Sequence, residues 1–421
     1  MSFQDIRKSR KWLSADEIRL LALLLLILGG LLALNIALAR FVPGAEWFFL
    51  RWSGARAFLF EQIGPYSTEV AQRVQEVAYG RRALSSEYTY VLNDPFHIVL
   101  LYTPLALLHD FTLARGIWML VSEAALAGTV LLAFNLSEWQ PPRWLYISLL
   151  GFGLFGYYSL SGLVTGTPAI LLAFLYLYIL LALRSGSDEL AGALLFLVAY
   201  QWEVGALFFL FILVFVFANH RWKVLAGFGM ALVILLALSL LSYPGWGLPY
   251  LLAVISAWLR GANMAFGQIA SAWLPDAPFS IGRLTALIVG GIVFLEWLAA
   301  VQAHFRRVVW TACLSLAATP LLGFAIFPSS HVVLILPVVL ILALVWERWR
   351  RHRVWMSLLI LSLALLIPFG MYLRSVYIYS PLYLDLLAIL PPIMTIVGLY
   401  WMRWWAVRSP RTWADQLGIL K

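Results

Sequence analysis

The chain has 421 residues, 63% of them hydrophobic and 12% charged, with a formal net charge of +9 and a mean hydropathy of +0.89. A soluble globular domain is nearer one quarter charged, so this composition excludes one and implies a surface that faces lipid. The positive charge does not point to nucleic acid, because Lys and Arg cluster at the ends of apolar runs, and the single cysteine, Cys313, excludes an internal disulfide and any multi-thiolate metal site.

Taken in chain order, the first apolar run is Leu20–Ala39, uncharged and closed by Arg19 and Arg40. Its length matches the roughly 20 residues that cross a hydrocarbon core about 30 Å thick. It is too long for a cleavable signal, and no small-residue cleavage site follows it. Phe41–Pro95 breaks the apolar pattern and holds 11 of the chain's 49 formal charges, mixed with aromatics. Thr68–Gly80 within it is amphipathic, which predicts a first loop with helices lying along the membrane surface. Phe96–His109, at 14 residues, is short for a crossing and reads as a re-entrant segment. Gly116–Phe134 is the next span. Trp144–Leu183 carries no charge over 40 residues and breaks at Ser161, Gly162, Gly166 and Pro168, so it holds two crossings. Leu190–Ala218 reads as one span or as two short helices broken near Gln201–Gly205. Val224–Leu241, Leu284–Ala303, Val354–Leu373 and Leu386–Trp401 are single spans, and Val308–Trp346 is a pair broken at Phe327-Pro328-Ser329-Ser330. The sequence therefore predicts one integral membrane domain over residues 1–421. It is an all-α, polytopic transmembrane helical bundle of about 11–13 spans, helices being the default where lipid offers the backbone no hydrogen bonds. The apolar runs lack the alternation of barrel strands.

Basic clusters at Arg7–Lys11, His220–Lys223, His304–Arg307, Arg348–Arg353 and Arg403–Arg411 mark the cytoplasmic face and put both termini inside. The opposite, extracytoplasmic face then carries the loop 42–95, Ser161–Pro168, Gln201–Glu203, the Tyr243–Arg283 region, Pro328–His331 and Arg374–Tyr379. The expected location is a cell membrane, multi-pass, with membrane lipids as its surroundings.

Few residues in this pattern carry chemistry. Glu46 lies just beyond the first span, bracketed by aromatics, where partial desolvation would raise its proton affinity and suit it to general-base work. The plainer reading is an interfacial charge beside an aromatic belt. His331 interrupts a long apolar run at an extracytoplasmic helix start and is a candidate on that ground. A histidine that only hydrogen-bonds there is the competing account. Glu123, Glu203 and Glu296 are carboxyls inside apolar runs that could equally pair with arginines. No metal-ligand spacing, Asp-x-Asp or P-loop occurs, so no metal and no cofactor are expected. Gly151, Gly153 and Gly156 match a dinucleotide fingerprint, but with no strand before them helix packing explains them better.

The order of motifs resembles a known family. Glu46-Trp47 is followed by Arg51-Trp52-Ser53-Gly54-Ala55-Arg56-Ala57, Gly64-Pro65-Tyr66-Ser67, Tyr79-Gly80-Arg81, Asp94-Pro95-Phe96, Pro104–Leu108 and Ala114–Trp118. This series resembles glycosyltransferase family 87, polytopic membrane enzymes of the GT-C fold that include polyprenol-phosphomannose-dependent α-mannosyltransferases. The resemblance runs over roughly residues 20–340 and is densest over 43–118. It departs from the family at Glu46, where Asp is usual, at Gly166-Thr167 in place of Gly-Gln, and at Gln201-Trp202 in place of Lys-Pro. The resemblance implies a GT-C-like bundle that moves a sugar, a hexose such as mannose, from a polyprenyl-phosphate donor to a lipid or glycan acceptor with inversion. It implies Glu46 as the base, and His331, Arg51, Arg56 and Arg81 as cations for the leaving phosphate. Trp52 and Tyr66 would be substrate-binding, and a groove between helices would take the polyprenyl tail. Two other readings stand beside it: a lipid or polysaccharide transporter or assembly subunit without enzymatic activity, and a degenerate GT-C member in a structural role. No internal repeat of the kind transporters show is present.

Overall fold

The computed structural model describes residues 15–84, 87–261, 265–275, 280–324, 326–378 and 381–407. The basic cluster Arg7–Lys11 and the part of the C-terminal cluster beyond residue 407, both used above to orient the chain, lie outside them. Among the described residues the chain is helical and contains no strand.

The first helix, α1 (Ala15–Phe41), is followed by the loop helices α2 (Glu46–Arg56), which continues into a π-helical turn at Ala57–Glu61, and α3 (Thr68–Tyr79). Next come two short pieces, α4 (Phe96–Leu101) and α5 (Thr103–Ala106), and the long α6 (Phe111–Leu136). The expectation for 96–109 holds in that neither piece is long enough to cross. The following helices are α7 (Arg143–Phe155), α8 (Tyr157–Thr165), α9 (Ala169–Ser185), α10 (Asp188–Val198), α11 (Trp202–Ala218) and α12 (Trp222–Ser242). The chain then runs through α13 (Gly247–Gly261), α14 (Phe266–Trp273), α15 (Ile281–Ala300), α16 (Phe305–Ala318) and a 3-10 segment at Pro328–Leu334. It closes with α17 (Ile335–Arg348), α18 (Arg353–Ile378), α19 (Pro381–Trp401) and α20 (Arg403–Val407).

Eight of these elements are long and apolar enough to cross a membrane: α1, α6, α7 with α8, α12, α15, the 3-10 segment with α17, α18 and α19. The shorter helices α9, α11 and Gly247–Ala257 are also apolar. Eight is fewer than the predicted 11–13, because uncharged runs such as 190–218 are built from short helices rather than from full-length spans. The region 243–283, read from sequence only as a connection, contains α13 and α14.

Local chemistry accounts for the elements that frame the site. Ser67 caps α3, its Oγ accepting from the Val70 amide at 3.3 Å, and α3 buries Val70, Ala71 and Val74 on its apolar face. Asp110 caps α6 by accepting from the Thr112 amide at 2.8 Å. α10 and α12 cross at Gly192 and Gly227, where the partner backbones at Val224 and Glu189 occupy the space a Cβ would need. Small residues at such crossings let membrane helices approach closely. α1 packs on α6 and turns most of its leucines outward, as a lipid-facing helix must. Two apolar clusters result. The larger fills the bundle from α6 to α20. The smaller gathers Phe48, Leu50, Trp52, Val70, Val74, Leu92, Phe96 and Trp118, and holds the loop 42–95 against one end of the helices.

Candidate functional site

Glu46 is positioned by a junction of three helices. After α1 the chain turns through Pro43-Gly44-Ala45, with φ of 127° at Gly44 and 67° at Ala45. The Ala45 amide donates to the Val164 carbonyl at 2.7 Å, which ties the turn to the end of α8. Arg115 of α6 is buried beside it and donates to the carbonyls of Ala39 (3.3 Å), Val42 (2.7 Å) and Val164 (3.2 Å). Gly166 closes the junction. Its φ is 69°, and a Cβ there would lie 2.6 Å from the Phe48 Cβ, so both conformation and space call for glycine. Two non-glycine residues next to the carboxylate, Ala45 and Tyr90 (φ 46°), are held in the left-handed region. That conformation costs roughly 1–3 kcal/mol each and recurs at functional sites.

Glu46 opens α2, where the helix dipole favours an acidic residue. It is half-buried, and burial pushes its carboxyl above the usual carboxylate range, opposed by its backbone amide and by the charge of Arg115. Among the described residues no cation lies within ion-pair distance of it; Arg115 turns its Nη groups to carbonyls. Trp47, the next residue, packs edge-on and tilted against Tyr88, Tyr90 and Phe327, with ring centres 5.1–5.5 Å apart.

The other residues carried by α2 are engaged within the protein. Arg51, 1% exposed, pairs with buried Asp94 through Nε–Oδ2 at 2.6 Å and Nη2–Oδ1 at 3.0 Å, and donates to the Trp47 carbonyl at 2.9 Å. Burial pushes the Asp94 carboxyl up, and Arg51 opposes that push. Trp52 donates to the Leu105 carbonyl at 3.0 Å. Arg56 caps the end of α5 through the carbonyls of Ala106 (3.2 Å) and Leu108 (3.3 Å), contacts His109, and stacks over Trp52 and Phe60. Tyr66 donates to the Asp94 carbonyl at 2.9 Å. Arg81 makes a two-point pair with Glu87 at 2.7 Å on the surface.

His331 stands apart. It lies in the 3-10 segment, 4% exposed, with Nε2 donating to the Ala388 carbonyl at 2.7 Å and its ring edge-on to Tyr158. It lines an apolar cleft between α7, α8, α17, α18 and α19, with Tyr157, Val338, Ile367, Pro391 and Met394. Neither Glu46 nor any α2 residue lines that cleft. Glu46 and His331, which the resemblance implies for one active site, therefore do not line this cleft together. The break at Pro328 turns His331 toward α19 instead.

What the structure does assemble near α2 is a small polar pocket. Arg51, Trp47, Tyr88, Asn93 and Asp94 reach it from the loop 42–95, Thr167 from the α8–α9 break, Gln201, Trp202 and Glu203 from the α10–α11 break, and Phe327, Ser329 and Ser330 from the 3-10 segment. Each of these breaks was visible in the sequence, which put them on one face but did not bring them to one pocket. Of the remaining carboxyls, Glu123 accepts from Asn35 at 3.0 Å, and Glu296 pairs with Arg403 at 2.9 Å and Arg307 at 3.4 Å. No cluster of His, Cys, Asp and Glu able to hold a metal ion occurs among the described residues.

Comparison of this chain with protein-family models, with curated proteins and with solved structures found no match in any of the three.

Proposed function

We propose that this chain is a membrane glycosyltransferase that moves a hexose from a polyprenyl-phosphate donor to a lipid or glycan acceptor, with inversion and with Glu46 as general base. The observation that carries the reading is an unpaired, half-buried carboxyl at the first residue of α2, held by Arg115 and Gly166 next to two strained backbone positions. A base needs a free lone pair and an elevated proton affinity, and Glu46 has both. In the proposed step Glu46 takes the proton of an acceptor hydroxyl as its oxygen attacks the anomeric carbon. The bond from that carbon to the phosphate oxygen breaks on the opposite face, and the phosphate leaves with the electron pair. Arg51 and Arg56 act in this reading by fixing α2, since their N–H groups already serve Asp94 and backbone carbonyls. The apolar cleft beside His331 has the chemistry of a polyprenyl tail. The same occupied arginines favour the second reading, a non-enzymatic transport or assembly protein, because a departing phosphate needs a free cation.

Glu46→Gln separates the two. The amide keeps the shape but cannot accept the proton, so transfer from a radiolabelled polyprenyl-phosphate sugar in matched membranes falls about 10²–10⁴-fold if Glu46 is the base. Activity within about threefold of wild type removes Glu46 from that role.

A further inference from the structure

We infer that the groove between α3 and α13 binds the net-anionic headgroup of a glycerophospholipid, with Arg82 on its phosphate and the outer face of α13 against its acyl chains. The inference does not rest on the transferase reading. Neither Glu46 nor His331 lines this groove.

Three observations carry it. First, α13 has the build of a helix at a membrane edge. At 15 residues it is too short to cross a bilayer. It buries Ala253 and Ala257, and its Tyr250 packs against Trp246 and Tyr66, which fastens it to the loop 42–95. Its opposite face carries Leu248, Leu251, Leu252, Ile255 and Leu259, each more than half exposed. That spacing makes one apolar stripe, suited to acyl chains in the interfacial plane.

Second, the wall facing α13 is polar and carries a free positive charge. Ser67, Thr68 and Gln72 of the α3 side line the groove, as does Arg82, three residues beyond the end of α3. No carboxylate is among the residues that line it. The neighbouring arginines are taken, Arg73 by Glu61 and Glu69, and Arg81 by Glu87. Arg82 makes no ion pair among the described residues.

Third, the two walls share one groove. Leu248, Pro249 and Leu252 line it together with Gln72 and Arg82. A soluble anion would leave the leucine wall wet, and an uncharged lipid would leave the guanidinium unmatched. A phospholipid fills both, because phosphate oxygens fit the planar guanidinium and accept from the Gln72 amide. The groove offers no carboxylate to a choline ammonium, so an anionic headgroup is favoured over a zwitterionic one.

The test reconstitutes the full chain in phosphatidylcholine vesicles that carry a photoreactive phosphatidylglycerol as a minor component, and maps the crosslinked peptides by mass spectrometry. Adducts are expected on 67–83 and 248–256. Unlabelled phosphatidylglycerol should displace the probe about fivefold better than phosphatidylcholine, the scale of one arginine at an anionic surface. Arg82→Gln should cut this labelling about fivefold, and since Arg82 is exposed the fold should survive its loss. Gln72→Glu, which puts a negative charge in the groove at nearly constant shape, should act in the same direction. Arg73→Gln changes the net charge by the same amount outside the groove and should label within about twofold of wild type. Four results overturn the inference: no adduct on either segment, equal displacement by phosphatidylcholine, wild-type labelling in Arg82→Gln, or displacement by inorganic phosphate or polyprenyl phosphate at lower concentration than by phosphatidylglycerol.

Discussion

Arg51→Met gives the sharpest test of the loop's construction. The guanidinium and the Asp94 carboxylate are both almost fully buried, and three N–H contacts within 3.0 Å hold Arg51 to Asp94 and to Trp47. Removing one member of a buried pair strands the other charge, at a typical cost of about 3–5 kcal/mol. The stranded Asp94 can escape only by binding a proton. That costs about 1.4 kcal/mol for each pH unit above an ordinary carboxyl value near 3.9, or about 4 kcal/mol at pH 7, so the two estimates agree. The sign follows. In the variant the folded state holds a proton that the unfolded chain gives up, so the native state binds more protons between pH 4 and 7 and its stability falls as pH rises. Unfolding of the purified protein in detergent, followed at pH 7 and pH 5 for wild type, Arg51→Met and Arg51→Met/Asp94→Leu, reads all of this. We expect a deficit of about 3–4 kcal/mol at pH 7 that falls to about 1–1.5 kcal/mol at pH 5. The double variant should recover most of it, because an apolar pair of similar volume replaces two buried charges. A deficit under about 1 kcal/mol at pH 7, or one that does not change with pH, would refute the reasoning.

Further predictions follow from the same junction. Glu46→Gln should unfold no earlier than wild type at pH 7, since burial raises the Glu46 proton affinity and disfavours its charged form. Its advantage should shrink as pH falls and wild-type Glu46 takes up its proton; a variant less stable than wild type at pH 7 contradicts this. Gly166→Ala should cost about 1–3 kcal/mol in the same unfolding assay, because φ is positive there and Phe48 stands where the methyl would go. Wild-type stability in Gly166→Ala would show that the α2–α8 junction is softer than its geometry indicates. If the loop 42–95 is extracytoplasmic, as the basic bias of the other loops predicts, Ser67→Cys should react with an impermeant thiol reagent in intact cells, where the one native thiol, Cys313, is buried. Labelling only after lysis would invert that topology.

The sequence by itself determined the all-helical class with helices apolar enough to cross a membrane, the first such helix, the amphipathic helix over 68–79 and the positions of the helix breaks. These are properties of short stretches: transfer to lipid adds up residue by residue, and Gly and Pro interrupt a helix wherever they fall. It also placed Glu46 at a boundary, because distance from the end of an apolar run is a local quantity. Only the tertiary structure decided which partners these residues keep. Arg51 looked like a phosphate ligand until Asp94, 43 positions on, proved to fill it. His331 looked like a neighbour of Glu46 until the break at Pro328 aimed it at Ala388 in α19. Glu203 looked like one more carboxyl awaiting an arginine, and became a pocket residue because the one guanidinium near it is already taken. Charge pairing and cavity lining depend on the packing of segments that lie tens to hundreds of residues apart, and no local pattern encodes which of several arginines a given carboxylate will meet.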